Sequence, residues 1–318
     1  MKIDSEMRVH TVFMGTPQFA ETILKSLLGS PSPVLAVYTQ PDKPAGRGRR
    51  VASPPVKRLA LEHGIPVVQT QTLKSGGALE KLASLQPDLI VVAAFGYILP
   101  TAVLSLPRFG CLNVHPSLLP RHRGPSPVAS SILYGDEFTG VTIMLMDSGM
   151  DTGPIIAQEK VSISFMDTTG SLSSRLADVG ARLLLETLPD WIAGELEPQA
   201  QDESQATYSK LITGEDAEID WHLSAVELWR RVRAYNPWPV CYTWCQGKRL
   251  KIYDATPVED VVRGKIGEVI ALKDLPGVGV VTGRGTLRLG KVQLEGKSQM
   301  SVDDFVRGQR DFVGSILG

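Results

Sequence analysis

Two apolar stretches decide the fold: residues 89–95 read LIVVAAF, and residues 110–115 read GCLNVH. The first stretch shows no alternation of polar and apolar residues, which is typical of a strand buried on both faces. Residues 9–14 (VHTVFM) and 34–38 (VLAVY) have the same character, and helical patterns lie between the strands. Apolar strands that alternate with helices form parallel sheets, so the sequence predicts a doubly wound, mostly parallel α/β sheet.

The composition changes after this α/β region. Residues 195–209 are rich in Glu, Gln, Asp and Ser, which is typical of a linker. One helical pattern follows at 225–233, and short β-like runs separated by glycines come after it. We therefore expect an α/β domain over 1–194, a linker over 195–209 and a small β-barrel domain over 210–318.

Charge and cysteine content exclude several classes of protein. The 318 residues include 33 Lys and Arg against 34 Asp and Glu, for a net charge of −1. This balance excludes a globally basic nucleic-acid binder but leaves room for a local basic patch. Three cysteines cannot form a disulfide framework, and their scarcity fits a reducing cytoplasm. No long apolar run or apolar leader is present, so we expect a cytoplasmic protein without a membrane partner.

The first strand does not open into a phosphate-binding loop. Residues 14–19 read MGTPQF, which matches neither GxGxxG nor GxxxxGK[ST]. Pro17 also removes a backbone donor that a phosphate would use, and Thr16 is predicted to cap the following helix. We therefore expect no nucleotide cofactor. Cys241 and Cys245 lack a second Cys/His pair nearby, so they are interpreted as small apolar strand residues and no metal is expected.

Polar residues cluster at the end of the strand at 110–115. Asn113 and His115 are two positions apart, so they project from the same face of that strand. The next apolar strand leads into DSGMDTG, which contains Asp147 and Asp151. Ordinary structural roles remain open: the histidine could belong to a loop hydrogen-bond network, and the carboxylates could close local turns.

These residue types suit chemistry at a carbonyl carbon. An amide donor and an imidazole can stabilise an oxyanion, and a carboxylate can orient the imidazole or relay protons. No GxSxG or comparable nucleophile motif is present. The pattern therefore favours direct acyl transfer to an amine over a covalent intermediate.

A basic segment follows the second predicted strand. It has one acidic residue, Asp42, against four basic residues: Lys43, Arg47, Arg49 and Arg50. The segment is longer than the usual strand–helix connection and could follow a phosphate backbone. The alternative is a solvated surface loop. In the C-terminal region the basic residues include Arg230, Arg233 and Arg249, and the NPWP stretch around Trp238 is interpreted as packing between helix and barrel.

Several motifs together resemble the 10-formyltetrahydrofolate-dependent formyltransferases. They are NVHPSLLPRHRG at 113–124, DSGMDTG at 147–153, MGTPQFA at 14–20, TQPDKPAGRGRR at 39–50 and RAYNPWP at 233–239. The resemblance implies a Rossmann-like formyltransferase domain, 10-formyltetrahydrofolate as the donor, and neither a metal nor a nucleotide cofactor. It also implies a catalytic triple of Asn113, His115 and Asp151.

The resemblance further implies where the substrates bind. The stretch expected to contact the folate comprises Ser117, Leu118, Leu119 and Pro120. An apolar slot near the fourth strand, lined by Phe95, Gly96, Tyr97 and Ile98, is expected to take the folate ring, with plain core packing as the alternative.

Among the formyltransferases, the chain is most similar to those that formylate the methionine of charged initiator tRNA. The basic segment Lys43, Arg47, Arg49 and Arg50 and an OB-like C-terminal barrel would then contact the tRNA, and a monomer is expected. A small amine, such as an amino-sugar nucleotide, remains open as the acceptor. A non-catalytic RNA-binding protein is the third alternative.

Overall fold

The computed structural model describes residues 8–45, 50–74, 77–258, 264–272, 277–309 and 311–318. The chain divides into two compact units. Unit 1 contains Met1–Pro127, Phe138–Ser162 and Ser173–Ser209, and unit 2 contains Val128–Glu137, Ile163–Leu172 and Lys210–Gly318. The boundaries expected at 194 and 210 remain predictions. Residues 195–209 are counted with unit 1.

The main sheet belongs to unit 1. The strands of this unit are β1 (Thr11–Gly15), β2 (Val34–Thr39), β3 (Lys43–Ala45), β4 (Arg50–Ala52), β5 (Val67–Gln69), β6 (Leu89–Ala93), β7 (Cys111–His115), β8 (Phe138–Leu145) and β9 (Ile155–Ser162). Seven of them form one sheet in the order β5-β2-β1-β6-β7-β8-β9, and β3 pairs with β4 separately. The first five strands in that order run parallel, while β8 and β9 join antiparallel. The predicted doubly wound, mostly parallel sheet is confirmed.

Helices connect the strands. They are α1 (Gln18–Leu28), α2 (Pro55–Glu62), α3 (Gly77–Ser84), α4 (Thr101–Leu104), α5 (Pro127–Tyr134) and α6 (Thr169–Ala193). All residues of β1, β6 and β7 are buried, which explains why most of them are apolar. The core on one side of the sheet contains Val12, Met14, Tyr38, Ile90 and Phe95, so the sheet is a rigid platform for whatever follows its strands.

Thr16 does not cap α1 as predicted. The helix begins at Gln18 after Pro17, with no side-chain cap. The Thr16 hydroxyl instead accepts a hydrogen bond from the backbone nitrogen of Gln40, at 3.4 Å, and donates to the carbonyl oxygen of Phe95, at 3.5 Å. It therefore joins the ends of three neighbouring strands, because these contacts satisfy the hydroxyl better than a proline-initiated helix turn can.

Unit 2 contains an antiparallel sheet. From residue 225 onward its elements are α7 (Ala225–Ala234), β10 (Tyr242–Cys245), β11 (Lys248–Val258), β12 (Val269–Ala271), β13 (Val278–Val281), β14 (Thr286–Leu294), β15 (Met300–Ser301) and α8 (Val302–Gly308). The strand order is β10-β11-β14-β13-β12, with β15 added to β14. This curled half-barrel agrees with the predicted small β domain. Across the described residues, no helix has the length and apolar composition needed to cross a bilayer.

Candidate active site

Strand β7 places two polar side chains on one face at its carboxyl end. Asn113 pairs with Val92 of β6 on one side and with Met144 of β8 on the other, and His115 pairs with Thr142. Both polar residues are buried, at 8% and 4% exposure. Polar groups in such a position need hydrogen-bond partners, and these come from the loops that follow β7 and β8.

Asp151 supplies the first of these partners. Its Oδ1 accepts a hydrogen bond from Asn113 Nδ2 at 3.3 Å, and its Oδ2 lies 3.7 Å from His115 Nδ1. Oδ2 also accepts a 2.7 Å hydrogen bond from the backbone nitrogen of Gly124. The structure therefore brings together the three residues of the predicted catalytic triple, which we call the strand-end cluster: Asn113, His115 and Asp151.

The second acidic residue of this loop has a different role. Asp147 Oδ1 accepts hydrogen bonds from the backbone nitrogen of Gly149, at 3.0 Å, and from Thr152 Oγ1, at 2.7 Å. The local-turn interpretation that the sequence left open for both carboxylates thus applies to Asp147. Asp151 faces β7 instead.

The ring of His115 has a defined orientation. Its Nε2 lies 3.2 Å from the carbonyl oxygen of His122. A carbonyl oxygen can only accept, so Nε2 carries a proton and donates it. Nδ1 then faces the carboxylate of Asp151: in the neutral ring it holds a lone pair, and in the imidazolium it holds a second N–H.

The loop between His115 and Gly124 is held against β8. Thr142 Oγ1 donates to the carbonyl oxygen of Ser117 at 2.6 Å and accepts from the backbone nitrogen of Leu119 at 3.1 Å. Gly124 has a φ of +103°, and a Cβ there would lie 3.0 Å from the carbonyl oxygen of Ser209. Glycine is therefore required where the backbone nitrogen reaches Asp151.

A neighbouring cysteine does not offer an alternative nucleophile. Cys111 begins β7 and is buried, and its thiol lies 3.8 Å from the carbonyl oxygen of Val103. Burial raises the pKa of this thiol to about 12, so the nucleophilic thiolate is scarce near neutrality.

Sequence reasoning missed Arg123 and the residues that surround it. Arg123 is fully buried at 0% exposure and donates to Glu203, at 2.6 and 2.9 Å, and to Gln201. Glu203, the largest influence, raises the pKa of Arg123 further above its usual range. The only sequence signal was the basic residue itself, because its partners lie in the segment interpreted as a linker.

The residues of the loop expected to contact the folate differ in how deeply they are buried. Ser117 and Leu119 are buried, and the Ser117 hydroxyl donates to the carbonyl oxygen of Arg121 at 2.7 Å. Leu118 and Pro120 are half-buried. Folate contact by this stretch remains a prediction.

The slot expected near the fourth strand is partly core. The Phe95 ring is buried and stacks edge-on against the half-buried Tyr97, with ring centroids 5.2 Å apart. Its carbonyl oxygen accepts a 3.0 Å hydrogen bond from Gln40 Nε2. Ile98 is exposed. The ring of Phe95 therefore serves the core packing that the sequence left open, and folate binding here remains a prediction.

The basic segment forms the flanks of a β-hairpin. β3 pairs antiparallel with β4, from Lys43–Ala52 to Ala45–Arg50, and we call this ribbon with its connection the basic hairpin. Lys43 is exposed, and its Nζ donates to Gln40 Oε1 at 2.7 Å. Arg47, Arg49 and the side chain of Arg50 lie outside the described residues.

Asp42, the residue directly before β3, is neutralised by neighbouring side chains. Lys57 Nζ lies 2.8 and 3.0 Å from the two carboxylate oxygens of Asp42, and Gln69 Nε2 donates to Oδ1 at 2.8 Å. The hydrogen bond from Lys57, followed by that from Gln69, lowers the pKa of Asp42. Asp42 therefore anchors the hairpin and does not offset the charge of the basic residues beyond it.

Two residues of unit 2 lie in environments that the sequence did not indicate. Arg233 is buried: its guanidinium lies 3.7 Å from the Trp229 ring centre, and burial lowers its pKa to about 10. It is therefore a structural cation and not a surface charge for RNA. Trp238 is 61% exposed, whereas Asn236 of the same NPWP stretch donates a 3.0 Å hydrogen bond to the carbonyl oxygen of Tyr253 in β11.

Cys241 and Cys245 are buried in unit 2, in line with their interpretation as small apolar residues. In the part of the chain that the structure describes, no group of three His, Cys, Asp or Glu residues is placed to hold a metal ion.

The fold and the site together define a class of protein. An amide, an imidazole and a carboxylate meet at the carboxyl end of a parallel strand, where open α/β sheets bind their ligands. These groups can polarise a carbonyl and move a proton, and no thiolate nucleophile accompanies them. The arrangement is that of an α/β enzyme for group transfer at a carbonyl carbon.

The chain belongs to the formyl transferase family. The family described as "Formyl transferase" matches residues 7–188, and "Formyl transferase, C-terminal domain" matches residues 211–310. A relative from Methylococcus capsulatus, named methionyl-tRNA formyltransferase, is 49% identical over 96% of this chain and 99% of its own length.

Solved structures share the fold at lower identity. HypX from Aquifex aeolicus, in complex with tetrahydrofolic acid, has a TM-score of 0.65 at 19% identity over 96% of this chain. This chain spans only 48% of that longer protein. An N-formyltransferase from Helicobacter canadensis, in complex with folinic acid and dTDP-3-aminofucose, has a TM-score of 0.65 at 18% identity, covering 92% of this chain and all of that one.

Proposed function

We propose that this enzyme transfers the formyl group of 10-formyltetrahydrofolate to the α-amino group of initiator methionyl-tRNA. The product, N-formylmethionyl-tRNA, would serve translation initiation. The acceptor follows from the full-length similarity to methionyl-tRNA formyltransferases, and the donor from the family. The observation that carries the chemistry is the meeting of Asn113 and His115 around Asp151, at 3.3 and 3.7 Å.

The acceptor amine needs little activation. A free α-amino group has a pKa of about 7.7–8, and esterification of the carboxyl lowers it, so a neutral fraction exists near pH 7. The amine attacks the formyl carbon, a new C–N bond forms, and negative charge develops on the formyl oxygen. The bond from the formyl carbon to N10 of the folate then breaks, and the amine proton goes to that leaving nitrogen.

Asn113 and His115 are positioned to stabilise the developing charge. The Asn113 amide has two N–H groups, and its bond to Asp151 uses one of them. The other can be donated to the formyl oxygen. His115 is held through Nε2, so Nδ1 is the nitrogen that faces the reaction, where it donates when protonated.

Asp151 orients the imidazole and helps move the proton. Its Oδ2 lies 3.7 Å from Nδ1, a separation that leaves room for motion or for a bridging water. The proton can then reach the leaving nitrogen through Asp151 or through water.

The substrates would bind on both sides of this cluster. We propose that the folate contacts two segments. One is the end of β6 with Phe95 and Tyr97, and the other is the loop with Ser117, Leu118, Leu119 and Pro120. We propose that the tRNA contacts the basic hairpin, through Lys43, Arg47, Arg49 and Arg50. A basic segment can follow a phosphate backbone, and this one follows β2 at the sheet edge where β7 also ends. The C-terminal unit would contact the tRNA body. We also propose a cytoplasmic monomer.

The direct test is transfer of a radiolabelled formyl group from 10-formyltetrahydrofolate to methionyl-tRNA. We expect labelled product with methionyl-tRNA, and none with uncharged tRNA or free methionine. An amino-sugar nucleotide serves as the competing acceptor. Equal or faster transfer to that sugar would overturn the proposed acceptor while keeping the chemistry, and no transfer to any amine would overturn both.

A further inference from the structure

The segment at 199–209 contacts the loop that carries Asp151, and we call this segment the strap. Gln199 and Ile155 exchange two backbone hydrogen bonds, of 2.7 and 2.8 Å. Gln201 Nε2 then donates to the carbonyl oxygen of Asp151 at 2.8 Å and to that of Gly153 at 2.7 Å. One side-chain amide therefore holds two backbone groups of this loop.

The strap also contacts the loop that carries His122. The backbone nitrogen of Thr207 donates to the carbonyl oxygen of Pro120 at 3.2 Å. The carbonyl oxygen of Thr207 accepts a hydrogen bond from the backbone nitrogen of Arg123 at 2.9 Å. Thr207 Oγ1 accepts a 2.8 Å hydrogen bond from the backbone nitrogen of His122. Ser209 closes the contact by donating its backbone N–H to the carbonyl oxygen of Arg123 at 2.7 Å.

Arg123 ties the two contacts together. Gln201 Oε1 accepts from Arg123 Nε at 3.1 Å and from Nη2 at 2.9 Å, on the same amide whose nitrogen holds the Asp151 loop. Glu203 accepts two further hydrogen bonds from this guanidinium. The planar fork has a fixed geometry, so it sets the separation of the two loops with little freedom.

The strap makes hydrogen bonds to the backbone of two residues that have a strained conformation. Asp151 has a φ of +54° and His122 a φ of +57°, both in the left-handed region that is unfavourable for a non-glycine residue. Such residues persist where their surroundings hold them. The same two residues face the ring of His115, through Asp151 Oδ2 at 3.7 Å and through the His122 carbonyl oxygen at 3.2 Å.

We propose that Gln201 and Thr207 are positioning residues for the transfer reaction. Through Asp151 and His122 they hold an acceptor oxygen at each nitrogen of the His115 ring. This inference rests on the proposed function, because it needs His115 and Asp151 to act in the transfer. Misplacement of a catalytic group by about 1 Å can reduce a rate by roughly 10²-fold. The strap would therefore affect turnover more than substrate affinity.

The first test replaces Gln201. Gln201→Ala removes the donor to both carbonyl oxygens, and we expect kcat to fall by about 10- to 100-fold with KM for donor and acceptor changed less than about threefold. Gln205→Ala is the matched control, because Gln205 is exposed in the same segment and donates to Asp202. It should keep wild-type values.

The second test separates positioning from folding. Thr207→Val keeps the shape but removes the oxygen that accepts from His122, whereas Thr207→Ser keeps that oxygen. We expect Thr207→Val to lose about tenfold in kcat, and Thr207→Ser to recover most of it, because the loss follows the hydrogen bond and not the methyl group.

The outcomes distinguish this inference from the proposed function. Wild-type kcat in Gln201→Ala, together with a large loss in Asp151→Ala, would overturn the positioning role and leave the reaction standing. Equal losses in Thr207→Val and Thr207→Ser, or losses shared between kcat and KM, would also overturn it. Wild-type turnover in Asp151→Ala would instead remove the proposed function on which the inference rests.

Discussion

Two regions at the carboxyl edge of the unit 1 sheet are built in opposite ways. In the strand-end cluster, Asn113 and His115 are buried and Asp151 is half-buried, and each polar group faces a partner from another loop. The basic hairpin has its anchor at the base, where Lys57 and Gln69 hold Asp42, while Lys43 is exposed. Chemistry at a carbonyl needs fixed distances in a dry site, whereas attraction of a long polyanion needs accessible charge.

The largest expected effect is the loss of turnover when a residue of the strand-end cluster is replaced. Asn113→Ala, His115→Ala and Asp151→Ala should each lower turnover at least about 10²-fold, because each removes a group that stabilises charge or moves a proton in the proposed mechanism. Formyl transfer at saturating substrate measures the loss, and circular dichroism checks the fold. Asp147→Ala is the control, since its carboxylate closes a local turn. Near-normal turnover in any two of the three variants would defeat the assigned roles.

The next effect concerns stability around the same cluster. Arg123→Leu should destabilise the protein by about 2 kcal/mol, because it removes the hydrogen bonds that this buried guanidinium donates to Gln201 and to the exposed Glu203. Urea unfolding measures this difference. Arg182→Ala removes an exposed arginine paired with Glu159 and should cost less. Equal losses in the two variants would show that burial does not distinguish these pairs.

The third effect addresses the hairpin alone. Arg47→Ala should weaken use of methionyl-tRNA while leaving the KM for the folate donor unchanged. Loss of one phosphate contact should lower the slope of log affinity against log salt by about one. Binding of tRNA over a salt series tests this, with Arg182→Ala as the control. An unchanged slope in Arg47→Ala would remove this residue from the proposed tRNA surface.

The smallest effect is a pH dependence at the hairpin base. Lys57 lowers the pKa of Asp42 in the folded chain, so this carboxylate stabilises the protein above its unfolded pKa of about 3.9. That contribution is lost as the pH falls through the lowered folded value. The stability difference between wild type and Asp42→Asn should therefore be present near pH 6 and shrink below about pH 4. A difference that is constant across this range in urea unfolding would contradict the assignment.

Much of the fold could be predicted because its signals are local. Unbroken apolar runs indicated the buried strands, and their alternation with helical patterns indicated the parallel sheet. Predictions from local sequence were wrong at positions where contacts between distant residues determine the structure. Thr16 bonds to neighbouring strand ends in place of capping α1.

The hydrogen bonds that hold the loops of the site could not be predicted from local sequence patterns. Arg123 and Glu203 are 80 positions apart, and Gln201 and Asp151 are 50 apart. Neither pair has a spacing that a helix or strand repeat would reveal. A Glu- and Gln-rich composition has the same appearance whether the residues are solvated or close around a buried arginine.

The sequence alone determined that Asn113 and His115 share one face of a strand, because side chains of a strand repeat every two residues. It also placed two carboxylates after the next strand. Only the tertiary structure decided that Asp151 faces that pair while Asp147 closes a turn, and that His115 donates through Nε2. Those choices depend on how loops distant in the chain meet, and hydrogen bonds between them settle what local periodicity leaves open.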